Sequence, residues 1–379
     1  MLRRPAVRRL VLADFRSYPA LDMEFEPGLV VLAGDNGAGK TNVLEAISLM
    51  AQGRGLRRAA IAECAREHGS GGWAVSVEIA GEDYRVQLGT GLDPASGEAS
   101  AARKCRIDRA PVGSARAFAD HLRLVWLTPA MDGLFTGSPG ERRRFLDRLV
   151  LAIDAEHGTR VNALERALRN RNRLLEEARP DRIWLDATEI EVAGLGVAVA
   201  AARHETLVQL SALIERKRDP ASPFPWAGLA LAGEIEGMLA GNPALAVEER
   251  YRAMLHDSRS RDARAGRTLV GPHTSDLMVR HGPKQADAER ASTGEQKALL
   301  TGLVLAHAAL VAQMSGMAPI LLLDEIAAHF DIVRRERLFE DLLALGGQVW
   351  MTGADPAVFA TLGGRASLYA VAGGRVAKA

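Results

Sequence analysis

Two apolar segments near the start of the chain, residues 7–12 and 29–32, have the length and aliphatic content of β-strands. The second runs directly into a glycine-rich turn and then into an apolar-periodic stretch from Lys40 onward, which predicts a strand, a loop and a helix in succession. Residues 73–79, 84–88 and 103–108 read as short antiparallel strands, set apart by turn residues such as Gly81, Gly91 and Gly97. They predict a side sheet next to the glycine-rich turn.

From residue 139 to about 217 the pattern becomes charged, Leu- and Ala-rich and helical, with Val161, Leu164, Leu168 and Leu175 on one helical face. Pro180 and Asp181 interrupt it, and Leu195, Val199, Leu210, Leu213 and Ile214 resume the period, which predicts an antiparallel helical hairpin. A proline-rich segment at 219–228 ends the hairpin, and beyond Thr268 strand and α/β patterns return. The expected fold class is α/β. A head formed by residues 1–136 and 266–379 would be interrupted by a helical lever at 137–265.

At 379 residues and 47% hydrophobic content, the chain can bury a sizeable core. Its 48 basic and 47 acidic side chains leave a net charge of +1, so contact with nucleic acid has to come from local basic patches. Cys64 and Cys105 are too few for a disulfide framework or a zinc site and fit a reducing cytoplasm. Asp14 and Arg16 break the N-terminal apolar stretch before a signal segment is complete, and no apolar run reaches the length of a membrane span. The expectation is a soluble, cytoplasmic protein with no membrane partner.

The sharpest local signal is Gly34-Asp35-Asn36-Gly37-Ala38-Gly39-Lys40-Thr41, a complete G-x-x-x-x-G-K-[ST] match between the expected strand and helix. Such glycines let backbone N–H groups turn inward around phosphates. Lys40 would reach the β and γ phosphates of ATP, and the Thr41 hydroxyl would ligate Mg²⁺. That placement separates the segment from a plain glycine-rich turn.

Residues 320–323 are aliphatic and run into Asp324-Glu325, which reads as a buried parallel strand ending in two carboxylates. Alone, the pattern equally describes a strand entering a solvated turn. Beside the phosphate loop it becomes a second element, with Asp324 in the Mg²⁺ shell and Glu325 accepting a proton from the attacking water or orienting it. A third element, Ser292-Thr293-Gly294-Glu295-Gln296-Lys297, precedes a helix-like run at 298–310. Ser292 or Thr293 is either the N-cap of a core helix or part of an anion site. With the other two elements present, the segment falls where an ABC signature belongs, and Ser292 and Gly294 would cap the γ-phosphate held by a second copy. The site would then be complete only in a dimer.

Several stretches, in order, resemble the RecF family. They are Leu12-Ala13-Asp14-Phe15-Arg16-Ser17-Tyr18, Asn36 and Asn42 around the loop, Gly137-Ser138-Pro139-Gly140-Glu141-Arg142-Arg143-Arg144-Phe145-Leu146-Asp147, and Gly271-Pro272-His273 followed by Asp276. The signature and Asp-Glu segments complete the set, and the segments at Gly137 and Gly271 are not general ATPase motifs. The resemblance implies an ABC-type head of the SMC kind with a lever too short for SMC arms. It also implies a weak, DNA-stimulated ATPase that forms a homodimer on ATP. Such a protein would bind DNA at gaps or single/double-strand junctions and work with RecR and RecO to load recombinase in recombinational repair and replication restart.

Some positions depart from the usual ABC pattern. Ala291, Thr293 and Glu295 stand where transporter-type heads usually carry Leu, Gly and Gln, so only Ser292 and Gly294 carry over. Thr128-Pro129-Ala130-Met131 occupies the place of a Mg²⁺-contacting Gln, and Thr352-Gly353-Ala354-Asp355 that of a switch His, which leaves that ligand and the γ-phosphate sensor unassigned. Asp331, with His329 nearby, falls in a loop expected to cross a dimer interface, and His273 reads equally as a packed turn residue or a site residue. Arg142, Arg143, Arg144 and Arg148, with Arg166, Arg169, Arg171 and Arg173 further on, are either solvated helix faces balanced by Glu141, Asp147, Glu165 and Glu176 or contacts to DNA phosphates.

Three rival readings come from other classes. The ATPase head of a nuclease complex needs a separate acidic metal cluster or a nuclease partner. A transporter-type ABC ATPase subunit leaves the opening segment and the lever unexplained. Intact Lys40, Thr41, Asp324 and Glu325 stand against an inactive scaffold.

Overall fold

The computed structural model describes residues 2–81, 84–94, 102–327 and 330–379. Strands β1 (Ala6–Phe15), β2 (Tyr18–Glu24) and β3 (Leu29–Ala33) lead to helix α1 (Lys40–Ser48). Then come β4 (Trp73–Ala80), β5 (Arg85–Leu92), β6 (Lys104–Ile107), β7 (Ala110–Val112) and β8 (Leu124–Leu127). Helices α2 (Pro139–Ile153), α3 (His157–Glu176) and α4 (Arg182–Arg216) follow, then β9 (Ala227–Ala232), α5 (Glu234–Leu239), α6 (Ala244–Ala265), β10 (Asp276–His281) and β11 (Ala286–Asp287). The chain ends with α7 (Thr293–Ser315), β12 (Ile320–Leu323), α8 (Ile332–Leu345), β13 (Val349–Gly353), β14 (Ala366–Ala372) and β15 (Arg375–Lys378).

The chain divides into two compact units. The head comprises Met1–Asp132, Asp219–Pro225 and Ser292–Ala379, and the inserted unit comprises Gly133–Arg218 and Trp226–Ala291. In the head, one sheet has the order β15-β14-β3-β13-β12-β8, parallel except at β15. Strands β3, β8, β12 and β13 are buried at every position, as strands of a parallel sheet covered on both faces should be, and in β13 that burial includes Thr352. The second head sheet, β2-β1-β4-β5-β6-β7, is antiparallel. In β4 every second position is buried, the mark of a sheet packed on one face.

The inserted unit corrects two expectations. It is more than a hairpin: α3 and α4 share an apolar core with α5 and α6, including Leu164, Val192, Val199, Ile235, Tyr251 and Leu255. Also, β10 and β11, expected to open the returning head, pair instead with β9 in the order β11-β10-β9. The head therefore resumes at Ser292 and not at residue 266, while residues 219–225 return to it early, with Phe224 edge-on to Phe330 at 5.5 Å. Strand β9 is the Gly- and Ala-rich run AGLALA, which carries almost no β signal, so its pairing with β10 was invisible. Contrary to expectation, one helix among the described residues, α7, is long and apolar enough to cross a membrane. Over half of its most apolar window is buried, as in the core helix of a soluble protein.

Candidate nucleotide site

The loop between β3 and α1 is shaped by close packing. A Cβ on Gly34 would lie 2.1 Å from the Val371 carbonyl oxygen, and Gly39 has φ +110° with the Tyr18 hydroxyl 2.8 Å from where its Cβ would be. Only glycine fits either place. Lys40 is buried and folds back across the loop, its Nζ donating to the carbonyls of Gly34 at 2.6 Å and Asp35 at 2.8 Å. Asp35, Asn36 and Gly37 are exposed, and Ala38 is half-buried, its N–H donating to Asp35 O.

The opening segment braces this loop. Tyr18 Oη donates to Gly39 O at 3.2 Å, and Asn42 Nδ2 donates to Ser17 Oγ at 2.8 Å. Arg16 grips the fully buried Glu45 of α1 through two bonds of 2.9 and 2.6 Å, and Arg57 joins Glu45 to Asn42 Oδ1. Burial pushes the Tyr18 phenol up to about 12, so it stays a neutral donor. Asn42 was expected at the site. Arg16, Ser17 and Tyr18 were visible only through the family resemblance, and Glu45 and Arg57 carried no signal.

Parallel pairing of β12 with β13 puts Leu323 level with Met351, and hence Asp324 level with Thr352. Thr41 Oγ1 lies 2.9 and 3.0 Å from the two Asp324 carboxylate oxygens, across 283 residues of sequence. Thr352 Oγ1 donates to Asp324 Oδ1 at 2.7 Å and accepts the Glu325 N–H at 2.8 Å. Glu325 itself has φ +52°, a left-handed backbone that costs a non-glycine residue about 1 kcal/mol or more. Thr41 and Asp324 offer the hard oxygen donors that Mg²⁺ takes alongside substrate phosphates, so these residues fit the expected ion. No sequence motif marks Thr352; the register of β13 beside β12 is the feature that exposes it.

Ser292 is the N-cap of α7, in a capping box with Glu295: Ser292 Oγ accepts the Glu295 N–H at 3.4 Å, and Glu295 Oε2 accepts the Ser292 N–H at 3.1 Å. Ser292 and Gly294 are exposed, and a Cβ on Gly294 would meet nothing within 4 Å. None of their described hydrogen bonds reaches the phosphate loop or the Asp324-Glu325 pair, which the fold does bring together. Lys297, one turn further on, pairs with Asp132 at 2.9 Å, just beyond the Thr128-to-Met131 segment. Asp331 caps α8 by accepting the Arg334 N–H at 2.9 Å, and the next two residues, Ile332 and Val333, are exposed. His329 lies outside the described residues.

The arginine cluster divides into side chains with internal partners and side chains left exposed. Arg142 makes a bidentate pair with Asp276 at 2.8 and 2.7 Å and also donates to Gly137 O. Arg143 donates to Ser275 O, and Arg171 is fully buried. Arg144, Arg166, Arg169 and Arg173 remain exposed. His273 donates through Nε2 to Thr268 O at 2.9 Å, and burial lowers its pKa, so it is a neutral ring serving the turn. The segments at Gly137 and Gly271 thus interlock within the inserted unit. Both cysteines are buried, with the Cys64 thiol pushed up to about 11 by burial.

A P-loop beside a parallel core sheet, an Asp-Glu pair at the end of the neighbouring β12 and a capped helix after an inserted helical unit together define an ABC-type ATPase head of the SMC kind. The family model for the RecF/RecN/SMC N terminal domain matches residues 6–360. The DNA replication and repair protein RecF of Rhizobium meliloti (strain 1021) is 55% identical over 368 residues, covering 97% of both chains. That of Mesorhizobium japonicum is 54% identical over 370 residues, covering 98% of this chain and 97% of its own. The chain belongs to the RecF family of ABC-type ATPases. A solved structure of the recombination mediator protein RecF with ATP, from the RecFOR pathway, has a TM-score of 0.85 at 21% identity and covers all of both chains. An Smc head domain from Pyrococcus furiosus, bound to the C-terminal domain of ScpA, has a TM-score of 0.53 at 17% identity, over 99% of this chain and 96% of its own. At these identities the two structures speak to the fold.

Proposed function

We propose that this chain is an ATP-dependent DNA-binding protein of DNA replication and recombinational repair, in which ATP closes a homodimer and hydrolysis resets it. One observation carries the reading: Thr41 and Asp324 meet across the fold, with Glu325 next in the chain and held by its N–H, while Ser292 and Gly294 stand exposed on a separate helix end. Lys40 would exchange the Gly34 and Asp35 carbonyls for phosphate oxygens, and backbone N–H groups of the loop would turn to hold the rest. Thr41 and Asp324 would hold Mg²⁺, which supplies charge neutralisation on the phosphates. Glu325 would orient the attacking water and take its proton. Ser292 and Gly294 of a second copy would close over the γ-phosphate, so that neither copy hydrolyses ATP fast alone.

Membership of the RecF family supports the role in replication and repair, and the RecFOR pathway of the solved RecF structure supports RecR and RecO as partners in loading recombinase at single-stranded gaps. The proposed setting is the cytoplasm and the proposed substrate a gap or single/double-strand junction. Fluorescence anisotropy of labelled single-stranded, duplex and gapped DNA, with ATP, ADP or no nucleotide, tests it. Binding should need ATP, favour gapped DNA and disappear in Lys40→Ala. Absence of DNA binding under every nucleotide at low salt, where phosphate contacts are strongest, would reject the proposal.

A further inference from the structure

We infer that Thr352 is a positioning residue for hydrolysis, one hydroxyl that sets both Asp324 and Glu325. The inference rests on the reading above of those two residues. A backbone N–H can only donate, so in the 2.8 Å contact with Glu325 the Thr352 oxygen is the acceptor. Its single hydrogen is then committed to Asp324 Oδ1 at 2.7 Å. Thr352 is fully buried, so no bulk water stands in for it. The β-branched side chain on a core strand also confines the hydroxyl to few rotamers.

Two consequences follow for the pair. Asp324 Oδ1 is shared between Thr41 and Thr352, which fixes the orientation of the carboxylate. Glu325 holds a left-handed backbone, φ +52°, that its own residue type disfavours, and the bond to Thr352 is what anchors its N–H there. Without that bond the Glu325 backbone can relax to an extended form and swing its carboxylate off the water. Lys40 and the phosphate loop make no hydrogen bond to Thr352 among those described, so its loss should act on kcat more than on ATP affinity.

Steady-state hydrolysis by the full-length chain with gapped DNA, together with binding of a fluorescent ATP analogue, tests this. Thr352→Val should lower kcat at least about tenfold with KM within about threefold, and Thr352→Ser should stay within about threefold of wild type. Glu325→Gln is the reference. If Glu325→Gln is inactive while Thr352→Val keeps its kcat, the inference alone is wrong. If Thr352→Ser is as slow as Thr352→Ala, packing and not the hydroxyl matters, which overturns it even where Thr352→Val does not fold. Wild-type hydrolysis by Glu325→Gln would overturn the reading of the site and this inference with it.

Discussion

Asp324 in the head and Arg171 in the inserted unit are both buried ionic groups, and their surroundings are opposite. Arg171 donates to Glu189 at 3.0 Å, to Asp262 and Thr268 at 2.8 Å and to Leu255 O at 2.7 Å, so its charge meets two carboxylates. Asp262 also accepts from Ser258 Oγ, and Glu189 also accepts from Arg259. Asp324 by contrast is held by the hydroxyls of Thr41 and Thr352, and Lys40 by two backbone carbonyls. Among the described residues neither Asp324 nor Lys40 has an ion-pair partner. Around Arg171 the inserted unit closes its charges on one another, whereas at the phosphate loop the head keeps Asp324 and Lys40 hydrogen-bonded but without a counter-charge. Uncompensated charges of opposite sign around one loop are what a phosphate and a divalent cation require.

The largest effect expected from this contrast is on stability. Arg171→Met leaves Asp262 without its cation in a fully buried position and should destabilise the chain by about 3–5 kcal/mol, read by denaturant unfolding. A loss under 1 kcal/mol would show that the network is not what holds α3, α4 and α6 together. Next comes Asp324→Asn, which should cut hydrolysis by about a hundredfold, near 2.7 kcal/mol of barrier, with stability unchanged or improved because it removes a buried charge that has no counter-charge. If Asp324→Asn instead unfolds the head, the two regions are alike and the comparison fails.

The same contrast explains what the sequence could and could not reveal. Gly34 to Thr41 and Asp324-Glu325 were legible because their chemistry needs fixed residue types at fixed spacing beside a strand, and β3, α1 and β12 lie within a residue of where the pattern put them. Arg142, Arg143 and Arg171 were ambiguous because an arginine bound for Asp276, Ser275 O or Asp262 looks the same in one dimension as an arginine bound for solvent or DNA. Those three partners lie 134, 132 and 91 residues away, and only the fold supplies them. Thr352 was missed for a related reason: its meaning comes from the register of β13 against β12 and not from any local motif. The boundary at 266 was misplaced because β10 has an ordinary strand pattern while its partner β9 has almost none.

The smallest expected effect is a pH dependence that belongs to the inserted unit. Asp147 is half-buried, and burial by itself would raise its pKa. His157 at 2.8 Å and Arg203 at 2.8 and 2.9 Å outweigh that and hold it below the usual carboxylate range. A carboxyl whose pKa is depressed by folding stabilises the native state fully above its unfolded value, about 3.9, and that contribution is lost as the pH falls through the folded value. Wild type should therefore be more stable than Asp147→Asn at pH 7, and the two unfolding free energies should converge as the pH drops below about 4. Parallel curves down to pH 2 would mean that Asp147 contributes by shape and hydrogen bonding alone. In that case the closure of charge within the inserted unit would stabilise it through the Arg171 network and the Arg142–Asp276 pair instead.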